Sequence, residues 1–285
     1  MQPCRTLLSL ICSLVFSGTL LASTPPSAPQ ALIFGSVAMD IPAAMHARLT
    51  PVTHYLSDAM SMPVSLRLSP NMGDAITELS EGRSDLAYLT PVAYVRARNR
   101  GQVEPLVKTI TVGEETFRLM IVVAENSPIQ RIEDLHGKRF AFGDRGALLQ
   151  RASVVGAGIS LEEFGEFQFL GHYDNIVRGV LSGDFDAGIL KDTTALRWQG
   201  EGIRILHASP PLPPYVIAAR QGLAPELLER LRQALLAARA DDPISGPAIR
   251  ALDANYNGFT EVSDTDYDVV RALIAPFEQA ARPAQ

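Results

Sequence analysis

Two stretches of the 285-residue chain set polar chemistry just ahead of helical patterns. Gly143-Asp144-Arg145-Gly146-Ala147 precedes an apolar, helix-like run. Backbone N–H groups there, reinforced by the helix dipole, would attract an anion, and the Arg145 guanidinium would add a two-pronged donor. The plain alternative is that Arg145 points to solvent. His172 stands just before the helical pattern that opens near Asp174, so its ring and that helix's free N–H groups could meet one negative group. A histidine already satisfied at the surface or in the core is the competing reading.

Catalytic and metal chemistry find less support. Cys4 and Cys12 lie within the first 23 residues, which read as a signal peptide, so their removal would leave no thiol nucleophile, disulfide or thiolate ligand. His46, His54, His136, His172 and His207 are scattered without ligand spacing. Met39, Met45, Met60, Met62 and Met72 gather early in the chain, and thioethers suit Cu(I), but methionines at helical spacing are better read as core filler. Gly156-Ala157-Gly158 closes a helix and follows no strand in the register a dinucleotide fingerprint needs. No Gly-x-Ser-x-Gly, His-Glu-x-x-His or phosphate-binding P-loop occurs. The expectation is a binding protein with no catalytic residues, no metal and no cofactor. A net charge of -6, 7% aromatics and no long basic block argue against a nucleic-acid partner.

The elements that position these residues follow from periodicity. Arg5 and the apolar run Leu7–Leu21 have the form of a secretory signal peptide over residues 1–23, cleaved near Ala22 or Ser23, with a Pro-rich start over 24–30. An uncleaved anchor is the alternative, although the run falls short of a spanning helix. Beyond residue 30, short β-rich runs alternate with helical patterns, which predicts α/β layers with largely parallel pairing. Strands are expected at Ala31–Val37, Val64–Leu68, Asp85–Leu89, Val103–Thr111 and Phe117–Ala124. Thr50-Pro51 reads as the cap and first residue of a helix. The pattern restarts after Ser127-Pro128 with strands at Arg139–Phe142, Phe167–Leu170, Phe185–Leu190 and Ile203–Ala208, then Tyr215–Arg220. The tail reads as helical. The length exceeds what one core usually serves. It divides into a discontinuous first lobe, 30–117 with 210–285, and a continuous second lobe, 118–209, joined by two crossing segments.

Three phrases carry a resemblance: Glu81-Gly-Arg-Ser-Asp-Leu-Ala-Tyr-Leu-Thr-Pro-Val-Ala-Tyr94, the run from Ser127 to Asp144, and the run from Gly171 to Gly188. In order and spacing they are similar to the phosphate/phosphite/phosphonate-binding proteins of ABC transporters. The resemblance implies an α/β, two-lobed type II periplasmic-binding-protein (Venus-flytrap) fold with a two-segment hinge. A small-molecule ligand would sit between the lobes of a periplasmic monomer. The partner would be a membrane permease or, alternatively, a membrane sensor kinase. It also implies that Tyr88, Thr90 and Tyr94 face the cleft opposite His172, with a carboxylate near Asp186 or Asp192 for a ligand amine. Tyr88 as an alternating core residue and Asp186 as a turn-fixing residue stay open. The departure is at 143–149, where the family's phosphonate binders carry a Ser-Thr-Ser-type run and this chain reads Gly-Asp-Arg-Gly-Ala-Leu-Leu. Each lost hydroxyl donor costs about 1 kcal/mol, so ordinary phosphonates are expected to bind weakly.

Overall fold

The computed structural model describes residues 31–36 and 42–280; the signal-peptide and Pro-rich segments, both cysteines and Met39 lie outside them. The first stretch alternates β1 (Leu32–Ser36), α1 (Pro42–Met60), β2 (Val64–Leu68), α2 (Met72–Ser80), β3 (Leu86–Leu89), α3 (Pro91–Arg100) and β4 (Val103–Thr111). Next come β5 (Leu119–Ala124), β6 (Arg139–Phe142), α4 (Leu148–Gly156), β7 (Glu166–Phe169), α5 (Tyr173–Leu181), β8 (Ala187–Lys191), α6 (Asp192–Trp198) and β9 (Ile203–Ala208). The chain then returns through β10 (Val216–Arg220), α7 (Pro225–Ala237), α8 (Gly246–Leu252), β11 (Tyr256–Thr260) and α9 (Asp268–Ala280).

These strands form two sheets, ordered β11-β4-β10-β3-β1-β2 and β7-β6-β8-β5-β9. Pairing is mixed, which corrects the expectation of largely parallel sheets. β1 runs parallel to β2 and β3, and β6 to β7 and β8, each pair joined through crossover helices. The strands that carry the chain between sheets enter reversed, so β10 is antiparallel to β3 and β4, and β5 to β8 and β9.

Two local expectations also need correcting. Pro51 lies inside α1, not at its start. An interior proline costs about 3 kcal/mol, but Met45, Leu49, Val52, Leu56 and Met60 form one buried stripe running through it, and that burial prevails. The tail, expected to be helical, contains β11, whose Tyr256 and Phe259 are buried against the first sheet's core.

The chain passes between the sheets twice, after β4 and after β9, and the two crossings are tied together. Phe117 and Leu212 exchange backbone hydrogen bonds of 2.9 and 2.8 Å, and Leu212 is fully buried. Helix α9 makes a third connection. It packs on α3 beside the first sheet and on α4 beside the second, within an apolar cluster containing residues from both.

Candidate functional site

Strand direction fixes which ends of the sheets can meet a ligand. In α/β layers the usable edge is the one beyond the carboxyl ends of the parallel strands. Here that edge comprises Ser36, Leu68 and Thr90 on the first sheet, with Tyr215 entering the antiparallel β10 beside Leu89. On the second sheet it comprises Gly143, Leu170 to Tyr173, and Lys191-Asp192.

A group of phenols lies at the first-sheet edge. The Tyr88 and Tyr256 hydroxyls are 2.9 Å apart, and the Tyr215 ring stacks on Tyr88 with centroids 5.0 Å apart. Burial pushes the Tyr88 and Tyr215 phenols up, and mutual repulsion with Tyr256 adds to it. Tyr256 is raised to about 12, chiefly by burial. The positive charge of Arg48, on α1, acts on both Tyr215 and Tyr256 in the opposite direction. All three remain protonated, and since one O–H of the Tyr88–Tyr256 pair is spent within the pair, the other and that of Tyr215 can act as donors.

The second sheet supplies the facing groups. Tyr173, at the start of α5, is raised to about 12 by burial, and its negative form would repel that of Tyr215. Its hydroxyl accepts from Gln150 Nε2 at 3.4 Å, while Gln150 Oε1 accepts from Gly143 N at 2.8 Å. One buried glutamine thus ties the β6–α4 corner to α5. Lys191, the last residue of β8, has its ammonium 5.4 Å from the centre of the Phe117 ring. Burial lowers its pKa, and Asp192 and Asp253 only partly restore it. Asp253 caps α8 on the first-sheet side, so Lys191, like Tyr173, acts across the gap.

The residues singled out from sequence divide sharply. Tyr88 joins the phenol group. Thr90 caps α3, its hydroxyl oxygen accepting from Ala93 N at 3.1 Å. Tyr94 is fully buried, donates to Asp264 Oδ1 at 2.6 Å and packs on Tyr267 at 4.4 Å. Its polar atom is spent inside the fold, so it does not look across at His172. His172 caps α5 and is exposed. Asp186 belongs to the opposite edge: it precedes β8, and its Oδ2 accepts from Arg139 N at 2.8 Å where β6 begins. That pairing places it as a structural residue. Asp192 holds the start of β5 by accepting from Arg118 N at 2.7 Å, and its charge acts on Lys191 and Tyr173. Gly146 N donates to Asp144 Oδ1 at 2.6 Å, and Ala147 caps α4 with no side-chain hydrogen bond. Arg145 is exposed, its guanidinium 4.8 Å from the centre of the Phe169 ring. Leu148 and Leu149, which open α4, are buried in the apolar cluster.

Sequence reasoning missed Arg48, Gln150, Tyr173, Lys191, Tyr215, Asp253 and Tyr256. Only Lys191 carried a signal, as the first charged residue after the apolar run Ala187–Leu190. Among the described residues no cluster of three or more His, Cys, Asp or Glu could hold a metal, and no helix is long and apolar enough to cross a membrane. An open depression of about 810 Å³, bounded by Arg98, Arg100, Asp264 and Arg271, lies at the far end of α3, away from the strand ends.

The pattern of the ABC-transporter phosphonate periplasmic substrate-binding proteins matches residues 34–267. The chain belongs to that family. As a phosphonate-family binding protein it is similar to the phosphate-import protein PhnD of Mycolicibacterium smegmatis, with 23% identity covering 94% of this chain and 92% of the relative. Its fold is shared with XAC2383 from Xanthomonas citri, solved bound to ATP, at a TM-score of 0.72 and 23% identity, covering 88% of this chain and 98% of that one. PhnD1 from Prochlorococcus marinus, in complex with methylphosphonate, gives a TM-score of 0.69 at 19% identity, covering 88% and 99%. The family member described here is therefore a two-lobed type II periplasmic binding protein, a solute-binding component that works with an ABC permease outside the cytoplasm.

Proposed function

We propose that this protein captures a small oxyanion between its two lobes, with phenol hydroxyls and the Lys191 ammonium as the donors, and delivers it to a permease. The observation that carries this reading is the placement of Lys191 and Tyr173, from the second sheet, against Tyr215 and Asp253 of the first. A partly desolvated ammonium costs stability on its own and is compensated when an anion arrives. Asp253 and Asp192 would suit an amine elsewhere on the same ligand. The lobes are taken as 30–117 with 210–285, and 118–209. Residues 1–23 are taken as a signal removed on export, and the working form as a monomer. Binding and closure are the whole task, with no chemistry on the ligand.

Relatives solved or named with phosphate and methylphosphonate support the ligand class. Specificity within it is expected to differ, because the 143–149 stretch lacks the Ser-Thr-Ser-type hydroxyls that the family's phosphonate binders carry there. The test is a thermal-shift panel of phosphate, phosphite, methylphosphonate, 2-aminoethylphosphonate, an alkanesulfonate and a dicarboxylate. A true ligand at a hundred times its dissociation constant adds about 2.7 kcal/mol to folding stability. At least one phosphorus or sulfur oxyanion is expected to do so. Stabilisation by the dicarboxylate alone, or by none of them, overturns the reading.

A further inference from the structure

We propose a second oxyanion site, built from Arg96, Arg145 and Arg151 around the Phe169 ring, that takes a multiply charged phosphate group and clasps the two lobes together. Two guanidinium groups share the Phe169 ring, and the charge of a third, Arg96, reaches Arg151. Arg96, on α3, is paired with Glu278 of α9 at 2.7 Å. Arg145 and Arg151 lie over the Phe169 ring, 4.8 and 5.7 Å from its centre. Neither has a hydrogen-bonding or ion-pair acceptor among the described residues, and the Nε of Arg151 is buried with nothing to donate to. A buried, unpaired guanidinium donor is costly and rare. Burial and then repulsion from Arg145 and Arg96 lower the pKa of Arg151, so these charges lie close enough to oppose one another.

Such an arrangement suits a ligand with several negative oxygens. Planar guanidinium forks match phosphate geometry, and the aromatic face orients them without neutralising them. The site also spans the molecule, because Arg96 stands on a first-sheet helix whereas Arg145 and Arg151 belong to the second-sheet side. An anion held by all three replaces repulsion between the lobes with a bridge.

The test is calorimetric titration of the full chain with pyrophosphate and, separately, inorganic phosphate. Pyrophosphate is expected to bind more tightly than phosphate and to weaken as salt rises. Arg145→Gln and Arg151→Gln should each weaken pyrophosphate about tenfold or more, and Phe169→Leu by a few-fold. Arg145 is on an exposed loop, so its variant folds and decides the matter even if the Arg151 variant does not. Lys191→Met separates this site from the cleft and should leave pyrophosphate affinity unchanged. Pyrophosphate failing to bind at millimolar concentration, surviving Arg145→Gln undiminished, or being lost in Lys191→Met instead overturns the proposal.

Discussion

Two strand-to-helix corners face the same gap and have opposite characters. At the β3–α3 corner, Thr90 caps the helix, Pro91 fills its first position, and Tyr94 spends its hydroxyl on Asp264. Both polar side chains there are engaged within the fold. At the β6–α4 corner the helix starts on an alanine without a side-chain cap, while Arg145 has no acceptor among the described residues. The first corner is a joint and the second is a surface open to ligands. A residue's capacity for chemistry therefore says less than whether folding has already used it.

This contrast can be broken by experiments in which binding and stability move separately. The largest effect on affinity is expected from Lys191→Met, which should weaken the best oxyanion of the panel about tenfold or more by calorimetry. The same change should raise the melting temperature of the free protein, since burial disfavours the ammonium in the fold. Unchanged affinity would remove Lys191 from the site. Tyr94→Phe at the joint should lower unfolding free energy in urea by about 1.5–3 kcal/mol, the range for hydrogen bonds to charged groups, and leave affinity intact. If affinity fell instead, the joint would be part of the site. Tyr173→Phe should do the reverse, costing about fivefold in affinity with little change in stability. Thr90→Ala should cost about 1 kcal/mol of stability through loss of the cap.

Two titrations sharpen the same contrast. The Lys191 pKa is lowered in the fold, so the charged form that binds an anion is lost on raising the pH before the ordinary lysine value of 10.5 is reached. Oxyanion affinity measured across the alkaline range should fall early, and this early fall should vanish in Lys191→Met. At the joint, burial pushes Asp264 up, but Tyr94 and Arg271 outweigh it, leaving the carboxyl below its ordinary value. Its stabilisation is therefore present above the unfolded carboxylate range and lost as the pH falls through the folded value. Acid unfolding should come at higher pH in Arg271→Gln.

Much of the fold was legible because strands and helices write their periods directly. The apolar runs at Val103–Thr111 and Ile203–Ala208 became strands with those bounds. Pro51 misled because a local rule cannot weigh a stripe that continues on both sides of it. β11 was missed because its burial is decided by α7 and α8, which pack against it, and not by its own pattern. The candidate site was harder to read. Tyr256, Tyr215, Tyr173 and Asp253 are brought together by chain return and sheet order, which no local window contains. Tyr94 and Thr90 looked suitable for their chemistry, but the Asp264 partner that claims Tyr94 lies 170 residues away.

Helix α9 sets a mechanical condition on all of this. It begins beside the first sheet and rests on α4 of the second, where Gly156 leaves no room for even a methyl group without displacing Leu273. The two halves therefore cannot gape freely about the Phe117–Leu212 crossing, because any swing must slide along that outboard apolar seam. How far the mouth opens is governed at the back of the molecule, by a tail segment that never touches the cargo.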